Sequence, residues 1–134
     1  PARRVSRMPI RFTYSGIEVR DMERSLKFYA DVMGMRLLDR HPIPETGGEV
    51  ATLQSEGAQQ YLELNHYPHR REKYVPGDGL DHLAFEVDDV AAELKRLNAL
   101  GFRTMRPLEQ RAKFIVGFAE DPDGLWIELY TPRR

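Results

Sequence analysis

Apolar and polar residues alternate through FTYSGIEV (12–19), which predicts a strand. Asp21 then stands where a helix cap belongs, and Leu26, Phe28, Tyr29 and Val32 follow on or near one helical face before Gly34 ends the segment. MRLLDR, EVATLQS and QYLELNH come next as three strand candidates. The same order returns downstream. DHLAFEV predicts a strand, a helix from about Asp89 carries Val90, Leu94, Leu97 and Leu100 at helical spacing, and Gly101 stops it. RTM, KFIVGFAE and LWIELY complete the set, with Pro122-Asp123-Gly124 as the turn between the last two. An offset of 82 − 14 = 68 superposes Tyr14 on His82, Glu18 on Glu86, Val19 on Val87, Asp21 on Asp89, Leu26 on Leu94 and Lys27 on Lys95. The chain therefore reads as α+β, two tandem βαβββ modules at about 11–66 and 80–131 within one domain, 8–134. The stretch of about 67–79 is the linker, and 1–7 is a flexible basic arm.

Strand parity says where the side chains point. Leu83, Phe85 and Val87 share one face and His82, Ala84 and Glu86 the other. The same parity sets Leu62 and Leu64 against Tyr61, Glu63 and Asn65, and Leu125, Ile127 and Leu129 against Trp126, Glu128 and Tyr130. The apolar sets pack on the helices, so polar residues collect on the open faces. Aligning YLEL with WIEL makes Glu63 and Glu128 equivalent, just as Tyr14 and His82 are. If the modules pair about a pseudo-twofold axis, these four positions converge in one cup between curved sheets.

Composition narrows the partners. The chain has 134 residues, 41% hydrophobic and 31% charged, enough for one core and too few for two ordinary domains. Its net charge of -1 argues against a nucleic-acid or anionic-membrane binder, the run RRVSR being only a local basic arm. No apolar run approaches the length of a membrane span. With 0 cysteines, any metal must be held by nitrogen and oxygen, and a cytoplasmic setting fits.

SGIEVRDMERSLKFYADVMGMRLL, GLDHLAFEVDDVAAELKRL and EDPDGLWIELY resemble the vicinal oxygen chelate superfamily, and most closely its glyoxalase I-like members (the glyoxalase/bleomycin resistance/dioxygenase fold). The resemblance runs from about residue 11 to residue 131. It implies a half-open barrel around one divalent ion (Zn, Ni, Co, Mn or Fe), with Glu63, His82 and Glu128 as metal ligands and Tyr14 at the remaining ligand position, where the family commonly has histidine or glutamine. Two glutamates converging in a partly enclosed cup would repel each other unless a cation compensated them, which agrees with a metal.

The activity implied is a glyoxalase I-type lyase or isomerase acting on a small carbonyl substrate through an enediolate. Glu128, and with it Glu63, would be the catalytic proton carrier, and Trp126, Tyr130, Asn65 and Tyr61 would line the substrate pocket. Glutathione-using members usually carry arginine where this chain has Glu18 and asparagine where it has Tyr67. The alternatives are an epimerase of the same mechanistic kind and a metal-free small-molecule binding or resistance protein. A homodimer is expected because a βαβββ module leaves a strand edge and a sheet face open. Elsewhere, His41 before Pro42 reads as a solvated turn, Gly47-Gly48 as a flexible loop, HRREK as a solvated loop able to hold an anion, and His66 with His69 as a weak second metal candidate.

Overall fold

The computed structural model describes residues 8–70, 75 and 77–133. The predicted basic arm lies outside the described residues, and so do residues 71–74 and 76 of the linker, with part of HRREK. The chain order is β1 (Tyr14–Glu18), α1 (Met22–Leu26) running on into a π-helical segment (Lys27–Val32), β2 (Arg36–Ile43), β3 (Gly48–Gln54) and β4 (Tyr61–His66), then β5 (Leu83–Glu86), α2 (Val90–Ala99), β6 (Thr104–Gln110), β7 (Phe114–Glu120) and β8 (Trp126–Pro132). Two four-stranded mixed sheets result, ordered β1-β4-β3-β2 and β5-β8-β7-β6, and they do not close on each other into a barrel. In each, the first strand runs parallel to the last, and the other pairings are antiparallel.

The repeat extends to individual hydrogen bonds. Asp21 accepts from the Arg24 backbone N–H at 3.0 Å and Asp89 from that of Ala92 at 3.0 Å, each satisfying a donor left over at a helix start. Val19 N–H donates to the Asn65 carbonyl at 2.8 Å, and Val87 N–H to that of Tyr130 at 2.9 Å. These bonds tie each strand-to-helix turn to the sheet's last strand.

Several boundaries differ from the sequence reading. β2 continues through His41 and Pro42 to Ile43, so His41 lies in a strand, exposed, with its Nδ1 2.6 Å from Asp39 Oδ2. Proline is accommodated there because β2 is an edge strand, and a register shift between Leu37 and Asp39 further blunts that edge. β6 likewise runs beyond RTM, through Pro107, with two register shifts. Gly47 sits in the hairpin turn at φ 69°, but Gly48 opens β3 and is buried. A Cβ on Gly48 would lie 2.5 Å from the His66 carbonyl oxygen, which backbone cannot yield. Gly48→Ala is therefore expected to destabilise by about 1–3 kcal/mol, read as a lower urea midpoint at unchanged slope.

One core joins the modules, and it lies on their helix sides. Ile17, Leu26, Phe28, Tyr29, Leu53 and Leu64 of the first module cluster with Val90, Leu94, Leu97, Ile127 and Leu129 of the second. Phe28 meets Phe102 edge to face at 4.7 Å between centroids, and Arg96 Nη2 donates to the Val32 carbonyl at 2.8 Å. The buried Tyr29 hydroxyl donates to Asp121 Oδ2 at 2.7 Å, and Asp123 accepts from Arg24 Nη2 at 2.7 Å. Packing on this side leaves the sheets' other faces uncovered.

Candidate metal and substrate site

The register fixes what shares each open face. On the first sheet Tyr14 stands beside Tyr61, Gly16 beside Glu63 and Glu18 beside Asn65. On the second, Ala84 and Phe118 flank Glu128, and Glu86 and Val116 flank Tyr130. Alternation of buried leucines with half-buried polar residues along β4 and β8 agrees with the expected parity.

In the second module His82 precedes β5, half-buried, with Nε2 4.0 Å from Glu128 Oε1. Its Nδ1 lies 2.6 Å from Asp81 Oδ2. A carboxylate only accepts, so Nδ1 is the donor to Asp81, and it is Nε2 that is turned toward Glu128 and placed for a ligand. The imidazole also meets Phe118 edge-on at 5.5 Å, and Phe118 meets Trp126 at 5.6 Å, giving the pair an aromatic floor. Beside it, the Arg103 guanidinium hydrogen-bonds Glu120 and holds that carboxyl below its ordinary range.

In the first module Glu63 is half-buried and accepts from Asn65 Nδ2 at 3.1 Å, so Asn65 orients the carboxylate. Tyr14 is exposed and stacks on Tyr61. Glu18 is ion-paired with Arg70, whose side chain reaches back from the linker. His66 Nδ1 faces the Val19 carbonyl at 3.1 Å, while His69 packs against Gly47.

The expected donors are thus only partly brought together within one chain. His82 and Glu128 approach each other, whereas among the described residues no three His, Asp or Glu side chains gather into a group able to hold a metal ion. Imidazole nitrogen with carboxylate oxygen is a donor pair suited to a borderline divalent ion, and a small side-chain rotation from 4.0 Å would set both on one ion. Asp81 went unnoticed in the sequence because it precedes the alternating strand. Its adjacency to His82 was the available signal.

The family follows from this arrangement and from comparison with known proteins. The chain belongs to the Glyoxalase/Bleomycin resistance protein/Dioxygenase superfamily, whose sequence profile matches residues 11–129. It is 34% identical to the lactoylglutathione lyase of Pseudomonas aeruginosa, over 88% of this chain and 80% of that one. Among solved structures, the trypanothione-dependent glyoxalase I of Leishmania major superposes with a TM-score of 0.73 at 28% identity, covering 92% of this chain and 87% of that one. An antibiotic-binding protein from Streptomyces sp. CB03234 superposes with a TM-score of 0.75 at 26% identity, covering 95% and 100%. The likeness to lactoylglutathione lyases over most of the chain supports a glyoxalase I-type lyase activity. No helix among the described residues is long and apolar enough to cross a membrane.

Proposed function

We propose that the protein is a divalent-metal-dependent glyoxalase I-type lyase that isomerises the hemithioacetal of a small α-keto aldehyde. We further propose that it works as a homodimer in which Glu63 of one chain joins His82 and Glu128 of the other. The observation carrying this reading is the pairing of His82 Nε2 with Glu128 on one open face, while Glu63 holds the equivalent position on the other sheet. Names of relatives over most of the chain supply the reaction class.

A divalent ion held by Glu63, His82 and Glu128 would act as a Lewis acid, stabilising the negative charge that develops on substrate oxygen. Glu128 takes the proton from the carbon bearing the sulfur and the hydroxyl. It returns that proton to the adjacent carbonyl carbon while the hydroxyl proton passes from the first oxygen to the second, so a hemithioacetal becomes a 2-hydroxy thioester with no external oxidant or reductant. His82, held by Asp81, anchors the site through Nε2, and Glu63, held by Asn65, supplies the second carboxylate. Phe118 and Trp126 exclude water from the Glu128 side.

The test is metal content after purification without a histidine tag. About one ion per chain is expected, since a twofold dimer carries two equivalent sites. The His82→Ala/Glu128→Ala double variant should lose it, and unchanged content there would sink the site. Metal at a hundredfold excess over its dissociation constant should add about 2.7 kcal/mol of stability to the wild type. A second reading, a binding protein without chemistry, draws on the Streptomyces likeness and the aromatic floor. It predicts small-molecule binding that survives the double variant.

A further inference from the structure

The position equivalent to His82 in the first module is Tyr14, and its surroundings define a site of another kind. Tyr14 and Tyr61 are register partners on β1 and β4, with ring centroids 5.0 Å apart and planes within 9° of parallel. A stack that merely filled the core would be buried, yet Tyr14 is 42% exposed. Its strand is also the sheet's edge, paired on one side only, so one ring face has no neighbouring strand.

The next row along the same face is Gly16 beside Glu63. A Cβ on Gly16 would sit in ordinary contact with Glu63 Oε1 at 3.7 Å and Asn65 Nδ2 at 3.4 Å, so glycine leaves this flank of the carboxylate open. The equivalent step in the second module has Trp126 two residues before Glu128, as Tyr61 stands two before Glu63. Each carboxylate therefore has an aromatic wall at the same distance along its strand, but only the first module's wall is a parallel, exposed stack.

We propose that the Tyr14–Tyr61 stack is a subsite for the planar ring of the ligand, which makes aryl α-keto aldehyde adducts, in preference to methyl ones, the substrate class. This rests on the isomerase reading above for the reaction and on the stack for the selectivity. A ring gains quadrupole-matched stacking on Tyr14 that a methyl group cannot supply, and it covers aromatic surface that a methyl group leaves wet. The Tyr14 hydroxyl is not needed for this role.

The experiment has a binding arm and a turnover arm, both on the metal-loaded wild-type protein. Mandelate and lactate, the 2-hydroxy acids that correspond to phenyl and methyl substrates, are titrated by saturation-transfer NMR. Mandelate is expected to bind about tenfold more tightly, with Tyr14→Leu and Tyr61→Leu abolishing the preference and Tyr14→Phe retaining it. Equal affinities in the wild type, no mandelate binding, or a preference unchanged in both leucine variants would overturn the subsite. Turnover of phenylglyoxal and methylglyoxal adducts of one thiol separates the two claims. If neither adduct reacts while the mandelate preference stands, the isomerase reading falls and the subsite survives. If both react with equal kcat/KM and no binding preference exists, the subsite falls and the isomerase reading survives.

Discussion

An equal mixture of Glu63→Gln chains with Glu128→Gln chains, allowed to exchange, should recover about a quarter of wild-type activity, although each variant alone should lose about 10²–10⁴-fold. In a dimer that exchanges modules, Glu63 of one chain serves the His82 and Glu128 of the other. A mixed dimer then has one site with both lesions and one with none. Half the dimers in an equal mixture are mixed and half their sites are intact, which gives about a quarter. The converse mixture has the opposite sign. Wild-type chains exchanged with the double variant Glu63→Gln/Glu128→Gln put one lesion in every mixed site, so activity should drop below simple dilution. Pairing of modules within one chain predicts no recovery in the first mixture and pure dilution in the second.

The packing of the modules is the reason to expect exchange. Tyr29 with Asp121, Arg24 with Asp123, Phe28 with Phe102 and Arg96 with the Val32 carbonyl hold them together through their helix sides. Glu63 does not join His82 and Glu128 in one chain when the modules are locked that way. A second copy can bring the two open faces together without breaking any of these contacts.

Much of this was legible in the sequence because it is local. Helix caps at Asp21 and Asp89 recur at one offset, and alternation along YLELN and LWIELY assigns Glu63 and Glu128 to open faces before any tertiary information. What escaped depends on context. MRLLDR and RTM stop short of Pro42 and Pro107, but an edge strand needs no hydrogen bond from one of its sides, so β2 and β6 run through them. The π-helical turn after Leu26 has the residues of an ordinary amphipathic helix, and its extra residue per turn shows only in the structure, where Phe28 and Tyr29 are buried and Phe28 meets Phe102 of the second module. Which faces of the modules meet is decided by Tyr29 and Asp121, 92 residues apart, and no local pattern encodes that.

That pair should also carry the largest stability effect in the molecule. Asp121 is 3% exposed, and its Oδ1 accepts from the backbone N–H groups of Asp123 and Leu125, each at 2.8 Å, while Oδ2 accepts from Tyr29, which is 0% exposed. Asp121→Ala leaves these buried donors without an acceptor, at an expected cost of about 3–5 kcal/mol, a large share of a domain's 5–15 kcal/mol. Asp121→Asn should cost much less, since the Tyr29 hydroxyl can turn to accept from the new amide and the side-chain oxygen still serves the backbone. The two variants differ in titration as well. Burial raises the Asp121 carboxyl above the ordinary 3.8, and its three hydrogen bonds only partly offset this. Its contribution therefore favours the native state below 3.8 and is lost as pH rises through the raised native value. Asparagine has no such titration, so the stability of wild type relative to Asp121→Asn should grow as pH falls from neutral toward 3.8. Glu49 and Glu120, held low by Arg40 and Arg103, lose stability on acidification in both proteins and cancel from the difference. Urea titrations at several pH values read the trend directly. A difference that stays flat or shrinks on acidification, or an Asp121→Ala protein as stable as wild type, would show that this contact does not set how the modules sit.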